Sequence, residues 1–235
     1  AGLNNQMAFS LNGDADLQSN PATVALLDYN PSDTPALNTG YRVSVRVKVC
    51  VIGLEEANCK PYGANSKPEG LIQAYSKDIR YSAFSYLADD ALARDGGVLR
   101  ANQKYVGQTL QDGSANSASE WSATTGVLVV NPNPTDATAS GVSNSGVINY
   151  INKFGQNTNN LKTYDPVSEL YYTAIRYFKK QGNVPSYSSV TGNQHDFFPV
   201  ITNWEDPIQY SCQKNVILGI GDTNTHADRN LPGGT

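Results

Sequence analysis

The sequence predicts an α/β protein, and two segments carry this prediction. Residues 165–180 place apolar side chains at three- and four-residue spacings, which is the pattern of an amphipathic helix. Residues 215–221 (NVILGIG) form a nearly continuous apolar run of strand length that is followed by Asp222. Such a run is typical of a strand covered on both faces of a parallel sheet. The acid that follows it would lie at the sheet edge where α/β proteins bind ligands.

The N-terminal part of the chain divides into two regions by composition. Residues 1–40 are rich in Asn, Asp, Ser and Pro, which predicts an irregular segment or short strands. From Tyr41 to Cys50, Tyr and Val alternate with mainly Arg, Ser and Lys, which predicts a half-buried strand. We therefore expect the α/β domain to span 41–235.

Three weaker patterns lie in the middle of the chain. Residues 69–76 follow a proline suited to a first helical turn, and 79–87 have aromatic residues in a β-like run. The stretch at about 112–145 is dominated by Ser, Ala, Thr, Asn, Pro and Gly, and contains one short apolar run at 126–130. Because this stretch has few apolar side chains to bury, we expect a loop-rich surface insertion there, with one short strand.

Two helices are predicted after the insertion. Asn144 or Ser145 can cap a short helix that ends at Gly155. In the longer helix, Asp165 is the expected N-cap and Pro166 the first helical residue. The side chains predicted to face the core are Val167, Leu170, Tyr171, Ala174, Ile175 and Phe178.

The charge balance and composition exclude some classes of partner. The chain has 17 Lys and Arg against 21 Asp and Glu, a net charge of −4, so it lacks the basic excess that nucleic-acid binding requires. No apolar run reaches the roughly 18 residues of a membrane-spanning helix. Charged residues make up only 16% of the chain while Asn, Ser, Thr, Gly and Tyr are plentiful, which favours an exported, extracellular protein.

Three cysteines are too few for a disulfide framework. Cys50 and Cys59 bracket a short loop whose Gly53 and Asn58 allow it to double back, so we favour a disulfide between them. Two buried free thiols in a cytosolic domain are the alternative. Cys212 is either a packed thiol or bonded to a segment that this sequence lacks.

Oxygen ligands at the end of the predicted strand suggest a cation site. Asp222, beside the hydroxyls of Thr223 and Thr225, offers the hard donors that Mg²⁺ or Ca²⁺ prefers. The alternative is that Asp222 only caps a turn, and Asp165 has the same two interpretations. The chain has two His residues and no nucleophile elbow or phosphate-binding loop, so we expect no enzymatic activity.

Long segments after residue 40 resemble, in order, one known family. They begin with YRVSVRVKVCVIGLEEANCKPYG and end with FPVITNWEDPIQYSCQKNVILGIGDTNTHADRNLPG, and they span 41–63, 67–107, 145–155, 163–178 and 198–233. They are similar to the N-terminal region of the type IV pilus biogenesis and tip adhesin family of the PilC/PilY kind.

This resemblance implies a von Willebrand factor A-like fold, a doubly wound sheet with a metal-ion-dependent adhesion site at its carboxyl edge. It places Asp222 at the acid that ends a late strand, and Asp165 near a position where the fold often has a metal-binding Thr. The D-x-S-x-S loop that completes such a site has no clean counterpart, so it lies upstream of Ala1 or has degenerated. The propeller that follows in the family is missing, and we expect a fragment.

The resemblance implies a non-enzymatic module of a pilus-associated adhesin, exposed on a bacterial cell surface or pilus. It would act in pilus assembly and in attachment, with minor pilins and a host or surface ligand as partners. The alternative is a structural subunit or scaffold of an extracellular appendage that binds no external ligand.

Overall fold

The computed structural model describes residues 49–87, 96–153, 165–189 and 195–221, together with Asp228 and Leu231. The chain divides into two compact units, Ala1–Val49 and Cys50–Thr235, and all of the described residues except Val49 belong to the second. The strand predicted to begin at Tyr41 therefore lies almost wholly outside the described residues.

The described part of the second unit alternates short strands, short helices and long irregular connections. In chain order the elements are β1 (Cys59–Tyr62), β2 (Asn65–Pro68), α1 (Leu71–Ala74), β3 (Tyr81–Tyr86), β4 (Gly97–Lys104), α2 (Pro134–Ala139), α3 (Val147–Lys153), α4 (Val167–Phe178) and α5 (Pro185–Ser188).

Strands β1 and β2 form an antiparallel hairpin that the sequence analysis did not anticipate. Cys59 lies opposite Pro68 and Tyr62 lies opposite Asn65. The connection can be this tight because Gly63 adopts a φ of 58°. Both strands are mostly polar and exposed, so they lack the alternating apolar pattern that identifies a half-buried strand.

Strands β3 and β4 form the larger antiparallel pair. β3 lies within the predicted β-like run at 79–87, which confirms that prediction. β4 was not predicted, although its first six residues are buried. Its strand pattern is concealed because Arg100 and Asn102 occupy buried positions that usually hold apolar side chains.

The predicted buried strand over 215–221 is not present in the structure. These residues belong to no helix or strand, and the side chains of Val216, Leu218 and Ile220 are exposed. A buried strand requires neighbouring strands that pair with its backbone. Among the described residues, none forms a ladder with this segment, and both described sheets are antiparallel. The von Willebrand factor A-like doubly wound sheet remains a prediction.

Helix α4 begins one residue later than the sequence predicts. Pro166 has a ψ of 77°, so it is the N-cap residue and the helix starts at Val167. The prediction that Asp165 is the N-cap residue and Pro166 the first helical residue is therefore wrong. The carboxylate of Asp228 instead accepts hydrogen bonds from the Ser168 backbone N–H, at 2.9 Å, and from its hydroxyl, at 3.1 Å. A carboxylate at this end also suits the helix dipole.

The buried face of α4 is displaced from the face that the apolar pattern predicts. Its buried residues are Glu169, Thr173, Ala174 and Tyr177. The displacement follows from a close approach to β4, since a Cβ on Gly97 would lie 2.8 Å from the Leu170 Cα. The Thr173 hydroxyl also contacts the carbonyl oxygen of Gly97, at 3.1 Å. The helix therefore turns a threonine towards the strand, and Tyr171 remains exposed.

The main apolar cluster joins β3, β4, α3 and the long connection between β4 and α3. Its buried members are Tyr62, Ala83, Ala101, Val106, Trp121, Val147, Ile148, Tyr150 and Phe198. Trp121 lies inside the stretch predicted as a surface insertion at about 112–145, and it is held by a β-bridge to Leu128. That stretch therefore contributes to the interior, although most of its residues are not buried.

We expect Gly97→Ala to lower the free energy of unfolding by about 1–3 kcal/mol, because the added methyl group overpacks the contact between β4 and α4. Urea denaturation measures this change. Gly70→Ala is the matched control, because a Cβ on Gly70 would have no atom within 4 Å. Equal stability of the two variants would contradict the close packing of α4 on β4.

Candidate functional site

The described residues form an open groove of about 510 Å³ between α1, α3 and the loop before Leu128. Its apolar lining residues are Leu71, Ile72, Leu128, Ile148 and Ile151. Its polar rim includes Lys67, Gln73 and Asn152. We refer to this recess as the α1–α3 groove.

The groove keeps apolar side chains in contact with solvent. Leu71 is 76% exposed and Ile151 is 39% exposed, whereas Ile148 belongs to the main apolar cluster. Gly126 shapes one wall, because its φ is 67° and a Cβ there would lie 2.7 Å from the Tyr62 ring. The groove therefore offers an apolar surface on a backbone that is packed against the core.

The groove contains no arrangement suited to acid–base or nucleophilic chemistry. Among its lining residues Lys67 is the one ionisable side chain, and no His, Cys, Asp or Glu lines it. An apolar recess with a few polar groups at its rim is suited to binding an apolar side chain or segment.

The α3 wall of the groove is positioned by a buried carboxylate. Glu120 is fully buried, and its two oxygens accept hydrogen bonds from the backbone N–H groups of Val147, at 2.8 Å, and Ile148, at 2.7 Å. These groups have no partner within the helix, so Glu120 acts as the cap of α3. The predicted caps, Asn144 or Ser145, do not accept these two hydrogen bonds.

Ser145 has a different role from the predicted one. Its hydroxyl donates to the Asn131 side-chain oxygen at 2.6 Å and accepts from the Asn133 N–H at 2.8 Å. It therefore fixes the loop before α3 and leaves the helix terminus to Glu120. Sequence reasoning missed this cap because Glu120 precedes Val147 by 27 residues, well beyond the range of local capping patterns.

Lys104 neutralises the buried carboxylate. Its ammonium group lies 3.2 Å from a Glu120 oxygen and donates to the side-chain oxygen of Asn133 at 2.8 Å. Burial lowers the pKa of Lys104, and the charge of Glu120 opposes that shift. The pair connects the end of β4 to the start of α3.

Arg100 connects β3, β4 and the segment that carries Phe198. It is 1% exposed, and its guanidinium donates to the Ser85 hydroxyl at 2.8 Å and to the Tyr86 carbonyl oxygen at 3.1 Å. It also donates to the carbonyl oxygens of His195, Phe198 and Pro199, at 2.9–3.3 Å. Burial lowers the pKa of Arg100.

Behind the groove, the Tyr62 hydroxyl donates a hydrogen bond to the Glu69 carboxylate. Burial, followed by this contact, raises the pKa of Tyr62 to about 12. Because folding raises this pKa, the protonated hydroxyl stabilises the folded state. This contribution is complete below pH 10.0, the ordinary pKa, and is lost as the pH rises through about 12. The hairpin and the start of α1 are therefore joined by a contact that is unaffected near neutral pH.

The predicted metal ligands are not brought together by the described residues. Asp222 and Thr223 lie outside them. Asp165 is half-buried and belongs to no group of three His, Cys, Asp or Glu ligands within the described part of the chain. The metal site at Asp222, Thr223 and Asp165 therefore stays a prediction.

The predicted disulfide is present in the structure. Cys50 and Cys59 are bonded, and the Glu56 carboxylate accepts a hydrogen bond from the Cys50 N–H at 2.8 Å. That hydrogen bond is the main cause of a lowered pKa for Glu56. Cys50, Cys59 and Glu56 also have metal-ligand spacing, but the disulfide removes both thiolates. Cys212 is free and exposed, so the alternative of a packed thiol is wrong.

Comparison with known proteins places the chain in a family. A family model described as "PilY1 homolog, second domain" matches residues 91–235, which is more than half of the chain. The chain belongs to this PilY1 homolog family. It is also similar to the "Type IV pilus biogenesis factor PilY1 homolog" of Xylella fastidiosa strain Temecula1, with 52% identity over 259 residues.

The same alignment covers only part of the relative's length. The alignment covers the whole chain and 21% of the relative. The chain therefore spans about a fifth of the length of the curated protein it matches. No solved structure matches the chain. Within the described residues, no helix combines the length and hydropathy required to cross a bilayer.

We expect Glu120→Ala to lower the free energy of unfolding by about 3–5 kcal/mol, because it leaves the α3 N–H groups and Lys104 buried without their acceptor. Chemical denaturation of the purified chain measures the loss. If this variant does not fold, the milder Glu120→Gln, which removes the charge and keeps an acceptor, should still lower the melting temperature.

Glu205→Ala is the matched control for this experiment, because Glu205 is exposed and its change should stay within about 0.5 kcal/mol of the parent. A Glu120 variant as stable as the Glu205 variant would contradict the role of Glu120 as the cap of α3.

Proposed function

We propose that the chain is a non-enzymatic module of a type IV pilus biogenesis factor, and that it acts through protein contacts during pilus assembly. One observation carries the proposal: the chain is 52% identical, along its whole length, to a protein with that name. The mostly apolar lining of the α1–α3 groove, with Lys67 as its one ionisable side chain, agrees with a binding role.

We propose an extracellular location, on the cell surface or the pilus. The disulfide between Cys50 and Cys59 supports it, because such bonds persist in oxidising compartments and are rare in the cytosol. The low content of charged residues, 16% of the chain, agrees with an exported protein.

We propose that the α1–α3 groove binds an apolar segment of a pilus component, with a minor pilin as the expected partner. Leu71 and Ile151 supply exposed apolar contacts on either side of the recess. The rim supplies hydrogen-bond donors from Lys67 and Gln73, which suit the backbone carbonyls of a bound segment.

An adhesive role with a bound divalent cation is a further part of this proposal. Asp222 and Thr223 would supply hard oxygen ligands for Mg²⁺ or Ca²⁺, with Asp165 as a third candidate, and the cation would engage a carboxylate on the ligand. Calorimetric titration of both ions into this chain and into the full-length Xylella homolog tests it. Absence of binding heat in both proteins would remove the cation from the proposal.

A structural role without an external ligand is the second candidate. The exposed apolar residues at 216, 218 and 220 favour it, because such surfaces usually mark contacts between protein segments. The two roles differ in cells. Loss of the adhesive contacts alone, as in a variant of Asp222, should leave pili in place and abolish attachment, whereas loss of a structural subunit removes pili and attachment together.

The test of the assembly role is an in-frame deletion of the codons for residues 50–235 in the organism that encodes the chain. We expect loss of surface pili by electron microscopy and loss of pilus-dependent motility, both restored by the intact gene. Normal pili and motility in the deletion strain would overturn the proposed function.

The role of the groove is tested by Leu71→Asp, which places a charge on its apolar wall. Ile52→Asp is the matched control, because Ile52 is 78% exposed, close to the 76% of Leu71, and does not line the groove. We expect a several-fold reduction in surface pili for the first variant at an unchanged protein level, and normal pili for the second. Equal piliation would remove the groove from the proposal.

A further inference from the structure

Three side chains of complementary reactivity meet at the end of β4. The Lys104 ammonium group lies 3.2 Å from a Glu120 carboxylate oxygen and donates a hydrogen bond to the Asn133 side-chain oxygen at 2.8 Å. An amine is therefore in direct contact with both a carboxamide and a carboxylate. These groups are the nucleophile, the acceptor and the proton carrier that the formation of a new amide from an old one requires.

The amine is held close to the carbon atom that it would attack. Its nitrogen also donates to the Ala118 carbonyl oxygen at 3.3 Å, so three acceptors fix its position. A C=O bond is about 1.23 Å long, so the contact with the amide oxygen places the Asn133 carbonyl carbon within about 4 Å of the Lys104 nitrogen. Reacting atoms are typically about 3–3.5 Å apart before attack. A small rotation of the flexible lysine side chain covers the difference.

The surroundings favour an uncharged amine. Glu120 is fully buried, and the Lys104 side chain is 17% exposed. Burial lowers the pKa of Lys104, while the charges of Glu120 and Asp136 oppose that shift. Transfer of one proton from Lys104 to Glu120 would remove two charges from the interior together, and it would leave a nucleophilic amine.

Glu120 is oriented for this proton transfer by the start of α3. Its two oxygens accept hydrogen bonds from the backbone N–H groups of Val147 and Ile148, at 2.8 Å and 2.7 Å. A base that contacts the nucleophile and is itself oriented by further groups is the usual arrangement around an activated nucleophile.

Asn133 is available as the acceptor. It is the N-cap residue of α2, but its side chain makes no capping hydrogen bond. Its backbone N–H donates to the Ser145 hydroxyl at 2.8 Å, which fixes the residue. Pro134 follows it, and because proline has no N–H, the competing cyclisation of asparagine onto the next backbone nitrogen is blocked. Asn133 is half-buried, so ammonia has a short path to solvent.

We propose that Lys104 and Asn133 form an intramolecular isopeptide bond, with Glu120 as the group that transfers protons. Glu120 takes one proton from the Lys104 ammonium group, and the free amine attacks the Asn133 carbonyl carbon. The bond between this carbon and the side-chain nitrogen of Asn133 breaks as that nitrogen takes the proton from Glu120. The attacking nitrogen loses one further proton to the ammonia that is released. The products are a secondary amide, an ammonium ion and the original Glu120 carboxylate.

The reaction needs no oxidant, reductant or external substrate, and it occurs once in each chain. It closes a covalent loop between the end of β4 and the start of α2, which lie 29 residues apart in sequence. Such a loop restricts the unfolded chain, as a disulfide does. The new amide keeps one N–H group that can donate to Glu120. The proposal concerns the covalent structure of the chain, and it does not depend on the proposed function in pilus assembly.

Mass spectrometry of the purified, folded and then denatured chain tests the proposal. We expect an intact mass about 17 Da below that of the sequence with one disulfide, because one ammonia has been lost. Residues 105–152 contain no Lys or Arg, so trypsin cuts an unlinked chain into peptides 101–104 and 105–153. A linked Lys104 is not cleaved, and the digest then contains a single peptide 101–153 that lacks one ammonia. Peptides 101–104 and 105–153 at their full masses would overturn the proposal.

A pair of lysine substitutions provides a matched control. Lys104→Arg keeps the positive charge beside Glu120, but its guanidinium stays protonated and cannot act as the nucleophile. We expect this variant to have the full mass of its sequence. Lys77→Arg changes an exposed lysine and should retain the mass deficit. A deficit of the same size in peptide 105–153 of the Lys104→Arg variant would overturn the proposal, because it would arise from an asparagine without the lysine.

Glu120→Gln tests the proton transfer. Glutamine keeps an acceptor for the α3 N–H groups but cannot take a proton from Lys104. We expect the folded fraction of this variant, identified by circular dichroism, to remain unlinked. A linked Glu120→Gln chain at the yield of the parent would overturn the role of Glu120. Lys104→Arg keeps the ion pair, so it decides the proposal if the glutamine variant does not fold.

Discussion

The described fold depends on the hydrogen bonding of a buried arginine. A two-stranded sheet is marginal by itself, and β3 and β4 form such a sheet. Arg100 joins a third chain segment to this sheet, because its guanidinium bonds the end of β3 and the carbonyl oxygens around Phe198 at the same time. The ring of Tyr150 from α3 covers the guanidinium, with 5.4 Å between the carbon of the guanidinium and the ring centroid. A buried cation is tolerated there because its donors meet oriented acceptors.

The same principle explains why the groove has a stable wall. Glu120 caps α3 from inside the protein and Lys104 neutralises it, so the helix that supplies Ile148 and Ile151 is tied directly to the end of β4. The apolar lining can then remain exposed without loss of its position. The proposed contact with a pilus component would use a surface whose α3 wall is held in this way.

The sequence predicted those features that depend on neighbouring residues and missed those that depend on distant ones. The aromatic run of β3, most of α4 and the disulfide from Cys50 follow from local spacing. β4 and the Glu120 cap were missed, because a buried Arg100 and a carboxylate 27 residues before its helix are favourable only in the folded structure. The apolar composition of 215–221 predicted a buried strand, but the described residues contain no strand there, because composition cannot say which segment would pair with it and cover it.

The most direct measurement for this account is the urea denaturation of Arg100→Met, which has a side chain of similar length without donors. The account predicts a loss of at least about 3 kcal/mol in the free energy of unfolding, because each buried carbonyl oxygen left without a donor costs roughly 1–3 kcal/mol. A variant within about 0.5 kcal/mol of the parent protein, the range of an ordinary surface substitution, would contradict it.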